Sequence, residues 1–161
     1  MNSTPKGTGA DYLVEKSDLA RTSNVVPKLR DILIVEDESL AGDRLTATLR
    51  TMLGYDVEVR RARTLAITLD LILKKQPDLI LLDDILKPSD TALDSLPMIR
   101  HAGFKGPIVI ISAQVDRFRR AELLEKGADD AINKDDLDSS AIGKALQRLA
   151  KAGKFLAPSR A

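Results

Sequence analysis

Three apolar runs, each ending in an oxygen-bearing side chain, constrain this chain more than any other feature. Ile32-Leu33-Ile34-Val35 leads into Glu36-Asp37, Leu79-Ile80-Leu81-Leu82 into Asp83, and Ile108-Val109-Ile110-Ile111 into Ser112. A short run that is apolar throughout, bounded by turn residues and rich in β-branched side chains, reads as a strand covered on both faces. Three such strands lying side by side would gather their terminal carboxylates and hydroxyl along one sheet edge.

The intervening segments carry helical spacing. Strand 31–36 is followed by a helix over 39–53 with Leu45, Leu49, Met52 and Leu53 on one face, Ser39 as N-cap and Gly54 as its stop. Strand 55–60 alternates Tyr55, Val57 and Val59 with charged residues, as a half-exposed edge strand would. Thr64 caps a second helix whose inward residues are Leu65, Leu69, Ile72 and Leu73. Strand 78–83, a helix over 91–102, strand 108–112, a helix over 116–126 ending at Gly127, a strand near 130–133 and a helix over 137–151 complete the alternation. Ile142, Ala145, Leu146 and Leu149 face inward on the last helix.

Five strands alternating with five helices predict an α/β fold, a five-stranded parallel sheet covered by helices on both faces. Right-handed crossovers favour the flavodoxin-like order 2-1-3-4-5, with the site at the carboxyl ends of the strands. Residues 1–30 read as an extension, flexible or serving through Tyr12–Leu19 as a dimerisation arm. Residues 31–151 form the domain, and 152–161 a tail.

Composition excludes several function classes. Lysine and arginine total 25 against 24 aspartates and glutamates, a formal charge of +1 that gives no basis for nucleic acid as partner. Tryptophan is absent and aromatics make up 3% of the chain, too few for a base-stacking platform. With no cysteine there is no thiol or disulfide chemistry. No apolar run reaches the roughly 18 residues of a membrane span, and Met1–Gly9 lacks a signal-peptide core, so a cytoplasmic protein without membrane contact is expected.

Glu36, Asp37 and Asp83 would repel one another in a shared crevice unless a cation offset them. Hard oxygen ligands suit Mg²⁺, which takes one or two carboxylates and leaves room for a phosphate oxygen. A further carboxylate is then free to act as a nucleophile towards phosphorus. Lys134, after the last strand, supplies a compact positive charge for phosphoryl oxygens, and Ser112 a hydroxyl donor.

Taken in order, Ile32-Leu-Ile-Val-Glu36-Asp37-Glu38, Pro77-Asp-Leu-Ile-Leu-Leu-Asp83, Pro107-Ile-Val-Ile-Ile-Ser112-Ala113 and Gly127-Ala-Asp-Asp-Ala-Ile-Asn-Lys134 resemble the receiver domain of bacterial two-component response regulators, over residues 31–151. The resemblance implies Asp83 as phospho-acceptor, Glu36 and Asp37 as the acidic Mg²⁺ pair, and the main-chain carbonyl of Ile85 as a further metal ligand. It also implies Ser112 as switch hydroxyl and Lys134 as the phosphate-pairing lysine. A sensor histidine kinase or phosphotransfer protein would be the donor. A homodimer would form through the fourth helix, fifth strand and fifth helix, or through the N-terminal arm.

Three positions depart from the family pattern. Ala131 stands where the switch aromatic is usual, Asp135 replaces the proline usual after the lysine, and Pro88 lies five residues after Asp83 rather than four. The usual inward-turning aromatic cannot operate here. Asp84 reads as an exposed neighbour, with a supporting place behind the site's ligands as the alternative, and His101 as a surface histidine. Arg117-Phe118-Arg119-Arg120 reads as one helical turn with Phe118 inward. The leading expectation is a stand-alone receiver, not an enzyme, signalling by protein contact, because about 30 residues before the domain and 10 after it leave no room for a DNA-binding output domain. A receiver-fold scaffold with vestigial phosphorylation is the alternative. A phosphohydrolase is disfavoured, because the second acid it needs two residues after the nucleophile is Ile85.

Overall fold

The computed structural model describes residues 25–86 and 90–156. The proposed arm at Tyr12–Leu19, Pro88 and the end of the tail lie outside the described residues. Strands β1 (Asp31–Val35), β2 (Glu58–Ala62), β3 (Leu79–Asp83), β6 (Ile108–Ser112) and β7 (Asp130–Asn133) form a parallel sheet in the order β2-β1-β3-β6-β7. Two two-residue strands, β4 (Ile85–Leu86) and β5 (Asp90–Thr91), pair antiparallel beyond the end of β3. Setting that ribbon aside, the five main strands run 2-1-3-4-5, the expected flavodoxin-like order. The helices are α1 (Ser39–Leu53), α2 (Leu65–Lys74), α3 (Ala92–His101), α4 (Arg117–Glu125) and α5 (Ser139–Lys151).

The period of two along each strand sorts the core into two layers. Leu33, Val35, Ile80, Leu82, Ile108 and Ile110 face one side, where Ile72 of α2, Leu96 and Ile99 of α3 and Leu123 of α4 cover them. Ile32, Ile34, Leu79, Leu81, Val109 and Ile111 face the other, beneath Leu45 and Leu49 of α1 and Ile142, Ala145, Leu146 and Leu149 of α5. All residues of β1, β3 and β6 are buried, which is why these strands read as unbroken apolar runs. Each such leucine or isoleucine contributes about 1.5–3 kcal/mol relative to exposure.

Several local expectations need correction. β2 begins at Glu58 rather than residue 55, because Asp31 pairs with Glu58 and the chain turns through Tyr55, which is 78% exposed. Leu73 is exposed, not inward; Ile72 and the half-buried Leu69 do the packing of α2. The N-cap of α1 is Glu38 and not Ser39, with no side-chain capping bond. Thr64 does cap α2, its hydroxyl accepting from the Ile67 amide at 3.1 Å. Phe118 is 82% exposed, because the inward side of α4 is taken by Leu123 and by two arginines that reach carboxylates.

Candidate phosphoryl-acceptor site

Strand register assembles the site. Val35 pairs with Leu82, so the next residues, Glu36 and Asp83, emerge level with each other. Asp83 pairs with Ile111, which brings Asp84 level with Ser112, and Ser112 pairs with Asn133, immediately before Lys134. Continuing the alternation of each strand, Glu36, Asp83 and Lys134 fall on the α1/α5 side, whereas Asp84 and Ser112 fall on the α4 side. Around them opens a crevice of about 740 Å³ whose lining includes Glu36, Asp37, Asp83, Ile85, Ser112 and Lys134. All six residues singled out in the sequence are thus brought together.

Carboxylate oxygens of Glu36, Asp37 and Asp83 lie within 4.8 Å of one another. Glu36 is held by its own turn, accepting from the Glu38 amide at 3.1 Å, and the Asp37 carbonyl accepts from Arg63 at 3.2 Å. Lys134 Nζ stands 3.4 Å from both carboxylate oxygens of Asp83 and 3.4 Å from Glu36 Oε1. Burial pushes the Asp83 carboxyl up, the adjoining Glu36 carboxylate adds to this by hydrogen bond and charge, and the net result is about 7 despite the opposing pull of Lys134 and the Ile85 amide. For Lys134, burial works to lower the ammonium's value, but the charges of Asp83 and Glu36 prevail and hold it above the ordinary lysine range.

These residues fit a hard divalent cation. The donors are all oxygens, and the carboxylates of Glu36, Asp37 and Asp83 converge within reach of one ion. The crevice has no acid two residues after Asp83; Ile85 is there, 62% exposed.

Asp84 is not the exposed neighbour expected: the structure buries it to 4% exposure, in the supporting place that was the alternative. It accepts a 2.7 Å hydrogen bond from the Ser112 hydroxyl, and its two oxygens take the Nε and Nη2 donors of Arg119. Burial alone would raise its carboxyl; the hydrogen bonds from Arg119 and Ser112, with the arginine's charge, outweigh it and hold the group below the ordinary aspartate range. Asn133 is a second residue the sequence did not flag: its side-chain oxygen accepts from the Val115 amide at 2.9 Å and pins the loop before α4. His101 is an exposed residue at the last turn of α3 and does not line the crevice, as expected.

The sequence profile of the response regulator receiver domain matches residues 32–147. The chain belongs to that family. It is 35% identical over 103 residues to the transcriptional regulatory protein DltR of Streptococcus agalactiae, covering 64% of this chain and 44% of DltR. To the DNA-binding response regulator MtrA of Mycobacterium tuberculosis it is 33% identical over 118 residues, covering 73% of this chain and 50% of MtrA. The chain thus spans about half the length of the curated relatives it matches. Among solved structures, the beryllofluoride-activated receiver domain of Klebsiella pneumoniae RstA superposes with a TM-score of 0.64 at 26% identity, covering 74% of this chain and 98% of that one. Among the described residues, no helix is long and apolar enough to cross a membrane.

Proposed function

We propose that this receiver domain accepts a phosphoryl group on Asp83 from a histidine kinase or phosphotransfer protein. The supporting observation is the grouping around Asp83: the acidic pair Glu36 and Asp37 converges with it, and Lys134 Nζ lies 3.4 Å from both its oxygens. An Asp83 oxygen attacks phosphorus, a P–O bond forms, and the P–N bond to the donor imidazole breaks, its electron pair returning to nitrogen. Glu36, Asp37, Asp83 and the main-chain carbonyl of Ile85 would hold Mg²⁺, which offsets charge on the transferring group. Lys134 pairs with a phosphoryl oxygen, and Ser112 donates a hydrogen bond to another. Asp83 is an acceptor, not a turnover catalyst, since the second acid of a phosphohydrolase is Ile85. The same intact geometry weighs against a vestigial scaffold. The donor is expected in the cytoplasm, and output by protein contact at the α4 side.

Labelling with radioactive acetyl phosphate or a phosphorylated kinase tests the assignment. The wild-type chain is expected to take label and Asp83→Asn to take none, with unchanged circular dichroism. Undiminished labelling of the variant would remove Asp83 from its role.

A further inference from the structure

We propose that Asp84 and Arg119 hold the Ser112 hydroxyl away from Asp83 and tie it to α4, so that drawing this hydroxyl to phosphorylated Asp83 releases the helix. The proposal rests on the phospho-acceptor reading and adds two positioning residues to it.

A serine hydroxyl has one proton to give. Here Ser112 gives it to Asp84 Oδ2 at 2.7 Å, the length of a bond to a charged acceptor; the other acceptor in reach, the Gln114 carbonyl, lies at 3.4 Å. To donate to an oxygen on Asp83, the hydroxyl must leave Asp84. Asp84 cannot follow. Its amide donates to the Ile111 carbonyl at 2.9 Å and its carbonyl accepts from the Ala92 amide at 2.7 Å, which fixes its backbone between β6 and α3. The strand alternation also points Asp84 and Ser112 to the side of the sheet opposite Asp83.

The far end of the tie is α4. Arg119 sits in the first turn of that helix, where Asp116 caps its amide at 2.7 Å, and its guanidinium grips both Asp84 oxygens. The Arg119 side chain also lines the crevice that would receive the phosphoryl group. Two effects of phosphorylation then act together. Departure of the Ser112 proton removes one of the bonds stabilising buried Asp84, and the new negative charge competes for Arg119. Both loosen the grip of Asp84 on α4. Ala131 is the reason such a tie is needed: its methyl is buried on the α4 side and is too small to carry the movement of the hydroxyl to the helix as a ring at that position would. The tie is two-state in the sense that one proton has two exclusive acceptors.

The test compares wild type, Asp84→Asn and the charge-free double variant Asp84→Met/Arg119→Met. Beryllofluoride with Mg²⁺ serves as phosphoryl mimic, with affinity read by ¹⁹F NMR and the amide shifts of residues 117–125 read alongside. In wild type, binding is expected to move the α4 amides. In both variants, affinity should rise about fivefold to tenfold, because Ser112 no longer has to be withdrawn from a charged acceptor. In the double variant, α4 amides should cease to respond to the ligand. A purely structural role for Asp84 predicts the reverse, weaker binding in a loosened site. The near-isosteric Asp84→Asn keeps the test decisive if the double variant folds poorly. Equal or weaker affinity in the folded variants, with an unaltered α4 response, overturns the tie while leaving phosphorylation of Asp83 standing. A wild-type chain that takes no beryllofluoride overturns the acceptor reading, and this inference with it.

Discussion

Lys134 Nζ stands equidistant, at 3.4 Å, from the two carboxylate oxygens of Asp83. This is an ion pair with loose hydrogen-bond geometry, as the proposed exchange of the carboxylate for a phosphoryl oxygen would require. Lys134→Ala is expected to lower the rate of phosphorylation by acetyl phosphate about tenfold or more, with the fold kept, because a compact charge near the transferring group is lost. Lys134→Arg should not rescue it, since a planar guanidinium cannot substitute for a point charge in so short a span. Stopped-flow labelling of the two variants checks both statements.

Asp83 makes the stability of the protein depend on pH. Its folded value of about 7 lies above the ordinary 3.8, so between those values the native state binds more protons than the unfolded one. The contribution of Asp83 to the stability of the metal-free protein therefore falls as pH rises from about 4 to 7, then levels off. Asp83→Asn removes the penalty. The variant should exceed wild type at pH 8 in chelator by on the order of 1 kcal/mol, a figure discounted for solvent reaching the crevice, and should match it near pH 4. Mg²⁺ should stabilise wild type more at pH 8 than at pH 5.5, because a cation must displace the Asp83 proton. Thermal melts at the two pH values, with and without Mg²⁺, decide it.

Much of this site was legible because strand ends write it into the sequence. An apolar run four residues long fixes both where Glu36, Asp83 and Ser112 emerge and that they emerge together, and the five-strand order follows from the alternation. What the sequence hid was tertiary. Asp84 looked exposed because a residue just past a strand usually faces solvent; its partner Arg119 lies 35 residues away, and only the Asp83–Ile111 register brings Ser112 beside it. Phe118 looked like the inward residue of α4 because it is apolar. The helix instead turns Arg119 and Arg120 towards the sheet, since buried carboxylates at Asp84 and Asp130 hold them there. The inward face of this helix is chosen by charge, which a hydrophobic pattern cannot report.

Asp130 illustrates the same point and carries its own prediction. At 1% exposure it accepts from Arg120 of α4 at 2.6 Å and Arg148 of α5 at 2.8 Å, joining both helices to the start of β7. Asp130→Ala leaves two partly exposed arginines without their acceptor, a milder outcome than an orphaned buried carboxylate. A loss of about 1–3 kcal/mol is expected, against more for an Arg120→Ala/Arg148→Ala pair, which strands the charge inside. Urea titrations of the two variants should rank in that order.

On the proposed reading, Ile85 would set how long a phosphorylated state lasts. Its side chain is 62% exposed and lines the crevice, as does that of Gln114, so the two flank the approach of water to a phosphoryl group on Asp83. An apolar side chain offers water neither a donor nor an acceptor for its orientation, and it covers part of the approach. Ile85→Asn places an amide there that can hold a water by hydrogen bonds. Because Ile85 is exposed, the exchange should leave stability within about 0.5 kcal/mol, so that a kinetic change is not a folding change. The phosphorylated variant is expected to decay several-fold faster than wild type in a single-turnover assay with labelled protein freed of donor. Equal or slower decay would show that Ile85 does not govern the water.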